Sequence, residues 1–195
     1  MKRNTEELKK RLVEVGMKEI ENNGIDNVSL RTIAKKCHVT HGTPYRHFSS
    51  KDHYLKVVSY QLSCFFDQEV FKGLHSSLSA RESLVLSGLQ FVNFAQEYPR
   101  IFEAVVIKCP FNYLDNTDEE ASFTLGFNKF KELISRFLEE EKLNYSLSSA
   151  LVQIFSFISG LAILTTNQKN LLSGTDTIEK TIQQMLDSYI KGGKE

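Results

Sequence analysis

Apolar side chains recur at intervals of three and four residues along most of the chain, and no convincing two-residue alternation is found. This spacing gathers apolar side chains on one face of an α-helix. In the first segment Leu8, Leu12 and Ile20 form such a face, and Asn23-Gly24 ends it. The pattern predicts an all-α fold of about nine helices.

Two short helices and one long helix follow the first. One short helix starts at Ser29, and the other runs from Thr40 to about Phe48. Ser49-Ser50 then offers caps for a long fourth helix. Because no flexible linker interrupts this helix, we expect it to join an N-terminal domain mechanically to the rest of the chain.

Longer helices account for the second half. Ser79 and Glu82 form a capping box at the start of a helix that extends to about Glu97, and Pro99 suits the first turn of a short helix. The remaining predicted helices are about 123–138, 146–167 and 177–190.

The net charge of zero conceals an uneven distribution. Residues 1–56 contain 12 Lys and Arg against 7 Asp and Glu, whereas residues 57–195 contain 12 against 17. A basic N-terminal part on an acidic body is typical of a protein whose N-terminal part meets a polyanion.

The cysteines and histidines do not form a recognisable metal site. Cys37, Cys64 and Cys109 are widely spaced, and no paired-cysteine motif is present, which favours three thiols in a reducing compartment. An alternative is that Cys109 senses redox state. Four histidines lie near the N-terminus but fall on different helix faces without acidic or thiol neighbours, so we expect no metal. They are His38, His41, His47 and His53.

No continuous apolar run reaches 18 residues, and the chain starts with a charged amphipathic pattern. We therefore expect a cytoplasmic protein that does not contact a membrane.

Residues 29–48 carry the most specific pattern. Two short helices are separated by Cys37-His38-Val39, which is the arrangement of a helix-turn-helix. The small side chain of Ala34 lies where the two helices would pack closely, and Val39 would fill the angle between them. The second helix opens with the small polar sequence Thr40-His41-Gly42-Thr43, which permits close approach to a DNA groove.

These residues resemble the signature of the TetR family of transcriptional regulators. The matching stretches are Val28-Ser29-Leu30-Arg31-Thr32-Ile33-Ala34, then Val39-Thr40-His41-Gly42-Thr43-Pro44-Tyr45-Arg46-His47-Phe48, then Ser50-Lys51. The family usually has glycine at the turn, where this chain has His38. Histidine tolerates a left-handed backbone better than most residues, so we expect the turn to form.

The resemblance implies a set of DNA contacts and two domains. It implies a three-helix DNA-binding domain at 1–50 and a helical ligand-binding and dimerisation domain at 51–195. Tyr45 could instead be a packing residue. The implied DNA contacts are Ser29, Arg31, Thr32, Thr40, His41, Gly42, Thr43, Tyr45, His47 and Lys51.

The body has no motif of a catalytic nucleophile, phosphate-binding loop, metal site or paired carboxylates, so we expect neither an enzyme nor a cofactor. It is rich in phenylalanine, which suits either a plain core or a pocket for a flat, apolar effector. Two segments also resemble a TetR subgroup with a Trp…His-Gly helix, here with Phe155 for Trp and Ser159 for His. The predicted pocket residues are Phe91, Phe94, Phe102, Phe111, Phe123, Phe127, Phe130, Phe155 and Ser159.

The last two predicted helices are apolar over more than one face, although a surface helix needs only one apolar stripe. In the TetR family such helices pair with their twins in a four-helix bundle. A two-fold dimer would present two reading helices about 34–36 Å apart to a palindromic operator. The predicted interface residues are Phe157, Leu161, Leu164, Ile178, Ile182, Met185, Leu186 and Tyr189.

Together these features predict a repressor that binds double-stranded operator DNA as a homodimer and is released by a small apolar effector. The alternative is a helical interaction protein of the same shape that no longer binds DNA.

Overall fold

The computed structural model describes residues 2–108, 121–168, 171–172 and 177–194, and for residues 2–4 and 121–125 it describes the backbone only. Every regular element in these ranges is helical, which confirms the all-α prediction. Phe111 and Cys109 lie outside the described residues, and the side chain of Phe123 lies outside them too.

Eight α-helices occupy the described ranges, against about nine predicted. They are α1 (Lys2–Asn23), α2 (Leu30–Lys36), α3 (Lys51–Val70), α4 (Ala80–Glu97), α5 (Pro99–Phe102), α6 (Ala121–Glu141), α7 (Leu147–Asn167) and α8 (Ile178–Gly193). Short 3-10 turns at Ile25–Asn27 and Pro44–Arg46 and a π-helical segment at Glu103–Lys108 accompany them.

Hydroxyl side chains cap four of the helices, and the sequence predicted two of these caps, at α3 and α4. The backbone N–H of His53 donates to Ser50 Oγ at 3.0 Å, at the start of α3. At α4 the capping box is complete, since Ser79 N donates to Glu82 Oε2 and Glu82 N donates to Ser79 Oγ. The Ser79 hydroxyl also donates to Glu82 Oε2, at 2.7 Å, and this bond, together with the one from Ser79 N, holds the pKa of Glu82 below its ordinary value. The caps of α7 and α8 are Ser146 and Thr177.

The chain divides into two compact units. Unit 1 comprises Met1–Phe66 and Tyr98–Phe123, and unit 2 comprises Asp67–Glu97 and Thr124–Glu195. The division therefore falls within the sequence of α3. The functional domains 1–50 and 51–195 stay a prediction.

In unit 1, α1 packs against α2 and α5. Tyr54 is fully buried, and its hydroxyl donates to the Leu12 carbonyl at 2.8 Å. Gly16 permits this approach, because a Cβ added there would lie 2.9 Å from Tyr54 Cζ and closer still to the hydroxyl oxygen. Burial is the main reason that the pKa of Tyr54 is raised, so the hydroxyl remains a donor.

In unit 2, α4 packs against both α7 and α8. Gly88 makes room for this contact, since a Cβ there would lie 3.2 Å from Ile182 Cδ1 and 3.3 Å from Ile158 Cδ1. Ile182 and Leu186 are fully buried. These two residues of α8 are thus core residues of the single chain.

Helix α7 is only partly covered within the chain. Val152, Ile163 and Leu164 are 67%, 41% and 53% exposed. Among the described helices α7 is long and apolar enough to cross a membrane by length and composition. Continuous apolar runs do not reveal this, because serine, glutamine, glycine and threonine interrupt a stretch without charges.

A half-buried carboxyl group, that of Asp67, lies where α3 ends in unit 2. The backbone N–H of Gly126 donates to Asp67, and a Cβ at Gly126 would lie 2.6 Å from Asp67 Oδ2. Burial raises the pKa of Asp67 to about 7, although Lys129 and the Gly126 N–H act in the opposite direction.

The first prediction concerns Gly16. Replacing Gly16 by Ala should lower the free energy of unfolding by about 1 to 3 kcal/mol, because the added methyl group displaces the Tyr54 ring. Gly42→Ala is the matched control, since a Cβ there meets nothing within 4 Å, and it should change stability by less than about 0.5 kcal/mol. Equal urea midpoints for the two variants would contradict the packing described here.

The second prediction concerns Asp67. Its raised pKa means that the native state keeps a proton that the unfolded state has released, so stability falls as the pH rises from about 4 to about 7. Asparagine has no carboxyl proton to release. After allowance for partial exposure, the free energy of unfolding of Asp67→Asn should therefore rise by about 1 to 2 kcal/mol relative to that of the wild type between about pH 4 and pH 7. Urea unfolding at several pH values measures this, with Glu132→Gln on the exposed face of α6 as control. Parallel pH profiles for wild type and Asp67→Asn would refute it.

Candidate nucleic-acid interface

Helix α2 presents one buried face and one polar face. Ile33 and Ala34 are buried against the core of unit 1. Arg31, Thr32 and Lys35 point to the exposed side. The helix ends at Lys36, and the backbone N–H of Cys37 still donates to the Ile33 carbonyl. A helix this short depends on its buried face for stability, so its polar face is free for contacts.

The turn after α2 contains the unusual residue that the sequence indicated. His38 has a φ of 57°, the left-handed region that glycine adopts without penalty. Val39 N then donates to the Ala34 carbonyl at 3.0 Å, which closes the turn. The expectation that histidine supports this turn is confirmed.

The segment after the turn differs from the predicted helix at Thr40–Phe48. Thr43 N donates to the Thr40 carbonyl, and only Pro44–Arg46 form a 3-10 turn. Pro44 explains the difference, because it has no N–H for the Thr40 carbonyl and its ring crowds that carbonyl. Pro44 and Phe48 are buried and hold the segment to the core.

The start of α3 is fixed to this segment. The Phe48 ring meets the Tyr54 ring edge-on, with centroids 4.9 Å apart and planes at 79°. Ser49 N and Ser49 Oγ both lie within hydrogen-bonding distance of His53 Nδ1, at 3.2 and 3.0 Å. Lys51 is exposed at the first position of the helix.

All ten predicted DNA-contact residues lie in unit 1 with accessible side chains or backbone. Tyr45 is 57% exposed, so most of its ring is outside the core. Thr43 and His47 are half-buried. The other exposed members are Ser29, Arg31, Thr32, Thr40, His41, Gly42 and Lys51.

Polar contacts from α1 hold α2 and the residue that follows it in place. Arg11 donates to the Cys37 carbonyl at 2.6 Å, and Lys36 pairs with the buried carboxylate of Glu19. The pKa of the Cys37 thiol is raised, mainly by burial and against the effect of Arg11, so this thiol is not activated. Lys35 was missed by the sequence prediction, although its spacing of four from Arg31 places both on one helix face.

Three of the predicted pocket residues of unit 2 form an aromatic cluster. Phe155 meets Phe91 and Phe130 edge-on, with centroids 6.0 and 5.8 Å apart. Phe94 is buried, whereas Phe127 is 41% exposed.

Two further predicted pocket residues differ from the members of that cluster, one in its unit and the other in its chemistry. Phe102 is buried in unit 1. Ser159 Oγ on α7 is buried and has no hydrogen-bond partner among the described atoms. An unpaired buried hydroxyl is unusual and marks a place where a polar group could be accepted.

The predicted interface residues separate into core and surface. Ile182 and Leu186 are fully buried and Leu161 is nearly so, whereas Leu164 is mostly exposed. The half-buried members are Phe157, Ile178, Met185 and Tyr189.

Solved structures of similar fold match almost the whole chain. A protein of unknown function from Rhodococcus sp. RHA1 matches with a TM-score of 0.74 at 16% identity, covering 96% of each chain. A TetR family transcription regulator from Marinobacter aquaeolei VT8 matches with a TM-score of 0.69 at 15% identity, covering 95% of this chain and 96% of its own. At these identities the likeness shows the fold.

Three other matches were solved with bound molecules. BioQ with its double-stranded DNA operator has a TM-score of 0.60 at 17% identity, covering 94% of this chain and 98% of its own. FadR from Bacillus subtilis with stearoyl-CoA has a TM-score of 0.64 at 14% identity, covering 90% of this chain and 96% of its own. RolR with resorcinol has a TM-score of 0.62 at 15% identity, covering 95% of this chain and 90% of its own.

The sequence comparison agrees with the fold. No curated protein matches the chain significantly. Residues 12–57 match the model of the family described as bacterial regulatory proteins, tetR family. This range contains α2, the left-handed turn and the start of α3. Over residues 12–57 the chain thus matches the N-terminal domain of the tetR family of bacterial regulatory proteins.

Proposed function

We propose that the protein is a ligand-responsive repressor that binds palindromic operator DNA as a homodimer in the cytoplasm. One observation carries the proposal: ten side chains or backbone positions suited to DNA contact lie accessible on α2, the following segment and the start of α3. Their chemistry combines hydroxyl and imidazole groups for base edges with cations for phosphates.

The DNA-binding part of the proposal has support from a structural relative. BioQ, which shares the fold, was solved on its operator. In this chain Gly42 is exposed, and a Cβ there would meet nothing within 4 Å, so the backbone is open to a base edge. Tyr45 and Lys51 follow that position in the sequence, are exposed, and suit contacts to backbone phosphates.

The effector is proposed to bind in unit 2, at the cluster of Phe91, Phe130 and Phe155. Two proteins of this fold were solved with stearoyl-CoA, which has a long apolar acyl chain, and with resorcinol, which has a flat aromatic ring. The unpaired Ser159 hydroxyl would accept or donate one hydrogen bond to such a molecule. Release from DNA requires that the effector bind one conformation more tightly than the other, typically by about 1–3 kcal/mol.

The homodimer is proposed to form through α7, with α8 beside it. Val152 and Ile163 are eleven residues apart, so they lie three turns apart on one exposed face. A Cβ added at Gly160 meets nothing within 4 Å in the single chain, which leaves space for a close helix. Burial of this face removes apolar surface from water, which favours association.

The third prediction tests the DNA contacts. Tyr45→Ala and Lys51→Ala should each weaken operator binding about tenfold, because each removes a phosphate contact, while the thermal unfolding of the protein stays unchanged. The probe is a duplex selected from a random pool by the wild-type protein, and a mobility-shift titration measures the affinity. Lys56→Ala, an exposed cation on the same helix, is the control.

The selection itself separates the two functional hypotheses. If the wild-type protein retains no duplex and shows no salt-dependent affinity for DNA, the repressor proposal fails and an interaction protein of this fold is favoured.

The fourth prediction tests the dimer. Leu164→Glu should weaken dimerisation at least about tenfold, because it places a charge in an apolar interface. Ile107→Glu is the matched control, since Ile107 is 50% exposed and lies outside α7. Sedimentation equilibrium measures the association constants. Should both variants associate like the wild type, the α7 interface is wrong; association of the protein with lipid vesicles instead would point to a membrane.

A further inference from the structure

Unit 1 carries an open notch that the sequence prediction did not include. Its volume is about 370 Å³, and it lies between the polar face of α2 and the segment after the turn. The lining residues are Arg31, Thr32, Ala34, Lys35, Val39 and His41. Two of them are cations, one is an imidazole, and none is a carboxylate.

The two cations of the notch, Arg31 and Lys35, are exposed. Among the described ion pairs, none involves Arg31 or Lys35. The adjacent Lys36 differs, because it is paired with the buried carboxylate of Glu19. Two neighbouring lysines of one short helix therefore have separate roles: Lys36 neutralises an internal charge, and Lys35 faces solvent beside Arg31.

The shape of the notch depends on the left-handed turn. Ala34 and Val39 form its apolar floor, and the bond from Val39 N to the Ala34 carbonyl holds the two sides together. His38 makes that bond possible by its positive φ. The cations are thus presented by a closed backbone turn rather than by a flexible loop.

We propose that this notch receives one DNA backbone phosphate, with Lys35 as a phosphate contact beside Arg31. The inference rests on the proposed repressor function. A lysine ammonium binds phosphate as a point charge, and an arginine guanidinium can add a two-pronged contact to the same group. Since His41 lines the notch and is also a proposed base contact, a phosphate held here fixes the register in which His41 meets the bases.

The test uses the full-length protein and the duplex selected by the wild-type protein. Lys35→Gln should weaken DNA binding about tenfold. It should also make the slope of log affinity against log salt concentration shallower by about 0.9 for each phosphate that is no longer neutralised, hence by about two for a bound dimer. Lys35→Arg should retain the salt dependence of the wild type. Lys18→Gln on the exposed side of α1 removes the same charge and controls for the net charge of unit 1.

A second arm identifies the phosphate. Each phosphate of one half-site is replaced in turn by a neutral methylphosphonate. At one position the replacement should weaken DNA binding by the wild-type protein but should not weaken DNA binding by the Lys35→Gln variant any further. This non-additivity is the signature of a direct contact between Lys35 and that phosphate.

The outcomes separate the two proposals. If the wild-type protein binds no duplex, the repressor function fails. If it binds, but Lys35→Gln matches Lys18→Gln in affinity and in salt dependence, the notch is not a phosphate site. Additive effects at every methylphosphonate position would overturn it as well.

Discussion

The buried hydroxyl of Tyr54 organises unit 1. It donates to the Leu12 carbonyl and so ties α3 to α1, while its ring lies edge-on against Phe48. Only a glycine at position 16 leaves room for that ring. Because Phe48 ends the segment after the turn and Lys51 begins α3, the position of the proposed reading surface depends on this single cluster. A buried donor without its acceptor would be costly, which makes the arrangement specific.

Unit 1 divides its cations between internal and external tasks. Lys36 and Arg11 form bonds that hold α1 to α2, with Glu19 and with the Cys37 carbonyl. Arg31, Lys35 and Lys51 remain exposed. The excess positive charge in residues 1–56 is thus not spread evenly over the surface. This separation lets the same helix be both a rigid support and a surface for a polyanion.

Unit 2 combines a well-filled core with two incomplete features. Gly88 allows α4 to contact Ile158 and Ile182 closely. Three apolar residues of α7 are exposed, and the Ser159 hydroxyl on the same helix has no hydrogen-bond partner among the described atoms. An uncovered apolar face and an unpaired buried hydroxyl both have unfavourable interactions with their surroundings, which binding would relieve. These features support the proposed dimer and the proposed effector site respectively.

Local chemistry was readable from the sequence alone. The helical class followed from spacing. The caps at Ser50 and Ser79 followed from hydroxyl side chains before apolar repeats, because each depends on residues within one helical turn. The left-handed turn at His38 was predictable for the same reason.

Only the tertiary structure decided how each face is used. Pro44 and the buried Phe48 turn the predicted helix at 40–48 into a short 3-10 turn. Ile182 is a core residue and Leu164 a surface residue, although both are apolar residues at helical spacing. Lys35 and Lys36 are identical in type and adjacent, yet among the described ion pairs Lys36 has a carboxylate partner and Lys35 has none. Periodicity gives the angle of a side chain around its helix, and what lies opposite that angle depends on residues distant in sequence.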